Sequence, residues 1–280
     1  MADQHRPPAA TPGPISETYS HQDNPAMEAW WTARTAASEA AFFLPYLRPG
    51  MDLLDVGCGP GTITLGLAEV VAPGSVVGID LQLAQVAQAR TMAAERPARN
   101  ARFAVATGYQ LPFPSASFDA VFAHAVLMHL REPARALTEM RRVLRPNGIV
   151  GVRDPDWGAE FLAPTTPLLE QARALRLRVR QHNGSDPFLV RRHRRLLLEA
   201  GFARAVATAV VESAGSLEET RHRAAWFRDQ IRGLGRTAIA EGWIDQPTVD
   251  VMAAEYEAWA ERPDAFAAEV WCAAIGRVGG

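Results

Sequence analysis

The stretch of this 280-residue chain most able to do chemistry is Gly57-Cys58-Gly59-Pro60-Gly61, a glycine loop entered from the apolar run MDLLDV and left through TITLGLA. Loops between a buried strand and a helix bring backbone N–H groups close to a ligand. Two acids nearby narrow what that ligand is. Asp55 stands just before the loop, where a carboxylate repels a pyrophosphate and favours a cation. Asp80 closes the next apolar run, SVVGID, where it can accept hydrogen bonds from both hydroxyls of a ribose. A dinucleotide fingerprint wants glycine or alanine at the position held by Thr62, and a phosphate loop needs a lysine. All 29 basic residues are arginine, which excludes the phosphate loop and Schiff-base chemistry alike.

Further along, His124 closes the apolar run FDAVFA, and His129 follows five residues later. That spacing is about 140° around a helix, so the two make no i, i+4 metal pair, and no metal is expected. RDPDW follows the run GIVGV, and the acids Asp154 and Asp156 are placed to face an acceptor. Trp30, Trp157, Trp226 and Trp243 fall in loop or helical regions where an apolar acceptor pocket would form. Arg173, Arg176 and Arg180 share one helical face, and Arg191, Arg192, Arg194 and Arg195 cluster after it; both sets read as solvated faces.

The elements that must position these residues follow from the apolar pattern. MDLLDV, SVVGID, ARFAVA, FDAVFA and GIVGVRD are short strands separated by helical segments, the rhythm of a parallel sheet buried on both faces. An alanine-rich segment, 28–47, reads as a helical lead-in that Pro45 should end or kink. PARALTEMRRVL starts with Pro133 in its first turn, and ARAVATAVVE and AEVWCAAIGRV complete the strands. Between those last two, Ser216 and Glu219 have capping-box spacing, and a second helix begins at Pro247. The organisation expected is a leader at 1–16, a ligand-binding domain at 17–215 and 263–280, and a helical lid at 216–262. With 48% hydrophobic residues the chain can bury a large core, and a net charge of −2 does not favour nucleic acid as a partner. Two cysteines, Cys58 and Cys272, form neither a zinc set nor a disulfide framework, which fits the cytoplasm, and no run of apolar residues suggests a membrane partner.

LLDVGCGPGTITLGLA, GID, YQLPFPSASFDAVFAH and VLRPNG together resemble the class I S-adenosylmethionine-dependent methyltransferases, in the small-molecule branch around ubiquinone and menaquinone biosynthesis. The resemblance is close over residues 19–152. It implies an α/β Rossmann-like sheet of seven strands in the order 3-2-1-4-5-7-6, the last strand antiparallel; the lid read above falls between strands six and seven. It implies S-adenosylmethionine as cofactor, held by Asp55, Gly57, Cys58, Gly59 and Gly61 of the first motif, and by Asp80 and Leu81. Where the family often has an acid near the adenine, this chain has Thr107 and Gly108. TYSHQ, WTARTAASEAA and HAVLMHL also resemble an actinobacterial and fungal group associated with secondary metabolism, some members of which methylate thiols of natural products of the gliotoxin and dithiolopyrrolone types. By that analogy Tyr19 closes over the cofactor, Arg34 pairs with its methionyl carboxylate, and His124 sits beside the methionine portion.

The reading is methyl transfer from S-adenosylmethionine to sulfur or oxygen of a small-molecule acceptor, with His124 and Asp154 as candidate acid–base residues. Two alternatives stay open. One is a cofactor-binding scaffold or cyclase-like protein without transfer; the other is a nucleic-acid methyltransferase, for which the [DN]PP[YF] signature is missing at Ala123-His124-Ala125-Val126.

Overall fold

A computed structural model describes residues 20, 24, 26–96 and 99–280. Seven strands, β1 (Leu53–Val56), β2 (Val76–Asp80), β3 (Ala101–Val105), β4 (Phe118–His124), β5 (Leu144–Ala163), β6 (Arg204–Ala214) and β7 (Phe266–Arg277), form one sheet in the order β3-β2-β1-β4-β5-β7-β6. The first five pair in parallel, and β7 runs antiparallel to both β5 and β6. This is the Rossmann-like order that the motifs imply.

Both faces of the sheet are covered, which is why its strands read as continuous apolar runs. Adjacent residues serve opposite cores. Leu53, Ala120 and Phe122 pack on α2 (Ala36–Glu39) and α3 (Thr62–Val71). Leu54, Val121 and Val152 pack under α5 (Pro133–Val143) and α7 (His193–Glu199). At the β3 side, α4 (Leu83–Ala94) brings Val86 and Ala89 against Phe103.

A second core lies where β5, β6 and β7 run on past the rest of the sheet. There Leu162, Ala214 and Ala267 meet α6 (Pro167–His182), α8 (Leu217–Ala240) and α9 (Gln246–Ala260). The capping box read from the sequence starts α8: Ser216 Oγ accepts from the Glu219 amide at 3.3 Å, and Glu219 accepts from the Ser216 amide at 2.9 Å. No helix among the described residues is long and apolar enough to cross a membrane.

Three expectations are corrected. The lead-in is not one helix: α1 (Ala26–Thr32) stops, and Thr35 caps α2 by accepting from the Ser38 amide. The break turns Glu39, at the end of α2, toward the sheet. RDPDW is not a loop after strand five but part of it, with Pro155 and Asp156 opposite Trp271 and Val270 of β7. The stripe on α6 is not solvated: Arg176 and Arg180 are buried, Arg176 beside Glu160 and both bonded to Gln230 of α8.

Candidate functional site

The glycine loop turns the chain from β1 into α3 through three left-handed positions, Gly57, Gly59 and Gly61, with φ of 75°, 51° and 84°. A side chain at Gly57 has no room: its Cβ would stand 2.3 Å from Val126 of the β4–α5 connection. Gly59 is different, since a Cβ there meets nothing nearer than Gln85 at 3.8 Å, so the top of the loop is open. Asp80 ties the loop to the second strand by accepting from the Gly59 amide at 3.0 Å and the Gln82 amide at 2.9 Å. One bond falls on each carboxylate oxygen, and each keeps a further lone pair.

Loop, Asp80 and the tip of β4 border one cavity of about 210 Å³. At its glycine end lie Asp55, Gly57, Cys58, Gly59, Asp80 and Leu81, with Thr107 and Gly108 beyond β3. Asp55 is buried and accepts from Thr64 at 2.6 Å. Burial pushes its carboxyl up to about 7, and the Asp80 charge adds to this. Burial also raises Asp80, while its backbone hydrogen bonds work the other way. The Cys58 thiol is driven up by burial, so it is no nucleophile. Thr107 Oγ1 accepts from the Tyr109 amide at 3.3 Å. Arg34 also borders the cavity, and Tyr19 lies outside the described residues.

At the other end, His124 closes β4, its ring stacked 5.3 Å from the Trp271 indole at an interplanar angle of 11°. His124 Nε2 lies 2.8 Å from Glu39 Oε2, the same oxygen that takes Arg153. Arg153 also reaches Glu212 at 2.6 Å and lies over the Trp271 ring at 4.3 Å. Burial, with the charges of Arg34 and Arg153, holds the imidazole down at about 4 against the pull of Glu39. Burial would raise Glu39, but its bond to His124 and the Arg153 and Arg34 charges outweigh that and hold it at about 2. A Glu39 carboxylate accepts from the Nε2–H tautomer of a neutral imidazole, which leaves Nδ1 as the basic nitrogen, although Arg153 Nη1, itself a donor, stands 3.3 Å from the same Nε2.

The tryptophans divide. Trp157 and Trp226 line the cavity, joined by Trp31 and Trp271. Trp30 instead donates its indole N–H to Asp229 at 3.1 Å and meets Trp226 edge-on, pinning α1 to α8. Trp243 packs away from the cavity, against His182 and Arg178. Asp154 is not brought to the cavity either. It is fully buried against His193 of α7 at 3.0 Å. Asp156 is held by Arg191 at 2.7 Å.

Among the residues of the site that escape a reading of the sequence are Glu39, Gln230, Glu269 and Trp271. Only Gln230 carried a signal, being a polar residue between Phe227 and Ile231 on the apolar stripe of α8, four residues after Trp226.

Residues 54–152 match the family model described as a methyltransferase domain. The chain is 37% identical over 201 residues to an uncharacterised 37.1 kDa protein of transposon TN4556 from Streptomyces fradiae, covering 70% of this chain and 55% of that protein. It is 38% identical over 109 residues to nocamycin O-methyltransferase of Saccharothrix syringae, 39% of each chain. The chain spans about half the length of the curated relatives it matches. Among solved structures, the YcgJ protein of Bacillus subtilis shares the fold, with a TM-score of 0.57 at 17% identity over 87% of this chain and 100% of that one.

Proposed function

The chain carries a class I S-adenosylmethionine-dependent methyltransferase domain, and from this premise we propose that it moves the methyl group of S-adenosylmethionine to oxygen or sulfur of a small secondary metabolite. The observation that carries the reading is the continuity of one cavity, from the loop held by Asp80 to the tryptophan-walled end where His124 stands. The residues fit the cofactor: an open glycine cradle, an acid with spare lone pairs for ribose hydroxyls, and a buried acid for a cation.

The cofactor, when bound, supplies a methyl group already activated on a sulfonium. What remains for the protein is alignment in a dry cavity, and orientation of this kind is worth effective molarities of about 10⁵–10⁸ M. Asp80 holds the ribose, and Asp55 faces positive charge. His124 Nδ1 is the group available to take a proton from a hydroxyl acceptor, with Glu39 fixing the ring. Helix α8, part of the lid at 216–262, walls the acceptor end through Trp226.

Purified protein incubated with S-adenosylmethionine and a panel of phenols, enols and thiols should release S-adenosylhomocysteine with at least one of them. Tight cofactor binding with no release from any acceptor would favour the non-transferring scaffold.

Two consequences are measurable. Asp55 is about half protonated near pH 7 before a cation arrives. Its folded pKa is raised, so below pH 7 the cofactor must displace a proton to meet a carboxylate, and affinity should climb about tenfold between pH 6 and pH 8. Asp55→Asn removes that share of the slope, and titration calorimetry of the two proteins at matched pH reads the difference. Equal slopes would show that Asp55 does not face the charge. In the acceptor end, Trp226→Ala should raise the acceptor KM about tenfold with cofactor affinity unchanged. Trp243→Ala, away from the cavity, should leave KM alone and lower only the melting temperature.

A further inference from the structure

Gln230 presents to the cavity an amide whose two ends are not equivalent. The side chain is 1% exposed and lines the acceptor end, one turn of α8 after Trp226. Its Oε1 accepts from Arg176 Nη1 at 3.3 Å and also from Arg180 Nη2. Guanidinium groups have no acceptor, so the orientation of the amide is forced: oxygen toward the arginines, nitrogen away from them. Nε2 has no hydrogen-bond partner among the described residues, and it is not sealed in the protein interior. Nε2 is thus the end of the amide left without a partner at the cavity that Gln230 lines.

We propose that Gln230 selects the acceptor by donating from Nε2 to a carbonyl or carboxylate oxygen on an aromatic molecule held between the Trp226 and Trp271 rings. The inference rests on the acceptor-site reading given above. Charged donors on Oε1 polarise the amide and strengthen its N–H groups, which favours the strongest oxygen acceptors over ethers or weakly accepting hydroxyls. An acceptor lacking such an oxygen leaves the buried amide N–H unpaired on binding, which costs at least about fivefold in affinity. Gln230 is a specificity residue in this account and takes no part in the transfer itself.

Three probes of one ring size test it: 4′-hydroxyacetophenone, 4-hydroxybenzoate and 4-ethylphenol, each titrated into the full chain with saturating S-adenosylhomocysteine and followed by tryptophan fluorescence. The ketone, the carboxylate or both should bind at least fivefold tighter than 4-ethylphenol, and which one does identifies the oxygen. Gln230→Glu keeps an oxygen for both arginines and replaces the donors by a second oxygen. It should erase the ketone's advantage and exclude the carboxylate, while 4-ethylphenol changes less than twofold. Equal affinities for the three in the unmodified protein, absence of measurable binding included, overturn the proposal, as does an undiminished preference in Gln230→Glu. The comparison in the unmodified protein stands whatever the variant's stability. If calorimetry shows no S-adenosylhomocysteine binding, the methyltransferase reading fails separately, and the same titrations without it still decide the role of Gln230.

Discussion

Replacing Asp80 by alanine should weaken S-adenosylmethionine binding by about 1.5–3 kcal/mol, roughly ten- to a hundredfold, because a charged acceptor is withdrawn from ribose hydroxyls that stay partly buried. The geometry adds a second reason. Asp80 also holds the Gly59 and Gln82 amides, so its loss loosens the loop as well as the ribose contact. Asp80→Asn separates the two. It keeps one side-chain oxygen for a backbone amide but loses the charge and one acceptor, and it should fall between wild type and alanine. Titration calorimetry gives the affinities, and thermal melting without cofactor gives the cost to the loop. A change below twofold for Asp80→Ala would mean that this acid is not at the ribose.

The glycine end of the cavity was legible because it is built from consecutive strand–helix units. Its glycines and acids end neighbouring parallel strands, so proximity in sequence becomes proximity in space, and the two-sided burial of Leu53 and Leu54 marks the strand without help from elsewhere. The tryptophan-walled end is different in kind. Glu39 comes from the lead-in and meets His124 and Arg153 of β4 and β5, whereas Gln230 comes from the insertion and Trp271 from the last strand, which borders the cavity because β7 pairs beside β5. No periodicity encodes such a meeting.

Asp154 shows the cost of ending the fifth strand too early. Once β5 continues through RDPDW, side chains alternate between faces. Arg153, beside His124 in the sheet, points to the cavity face, and Asp154 points to α7 and His193. Arg176 and Arg180 misled for a related reason. Charge on a helix reads as solvent-facing until its partners are known, and here Gln230 lies 54 positions from Arg176 and 50 from Arg180, on the helix packed opposite.

The same convergence sets the mechanism's main test. His124→Ala should lower kcat on a hydroxyl acceptor by about 10²–10³-fold, the usual worth of a positioned base, with cofactor affinity unchanged. Since the imidazole is held down at about 4, it stays neutral above pH 5, and the acid limb of the kcat profile due to this group should lie near pH 4 in the unmodified protein. Glu39 touches neither reacting partner. It works by holding the Nε2–H tautomer and by raising the basicity of the ring, against Arg34 and Arg153, which lower it. Glu39→Gln removes the raising influence. The acid limb should therefore move to lower pH, and the plateau should drop about tenfold because a weaker base accepts the proton less readily. A purely structural loss would lower the plateau and leave the limb in place. A thiol acceptor, which ionises unaided, should feel both substitutions far less. If His124→Ala abolishes turnover of thiols and hydroxyls alike while cofactor and acceptor still bind, alignment is not the main source of rate, and His124 is an obligatory base.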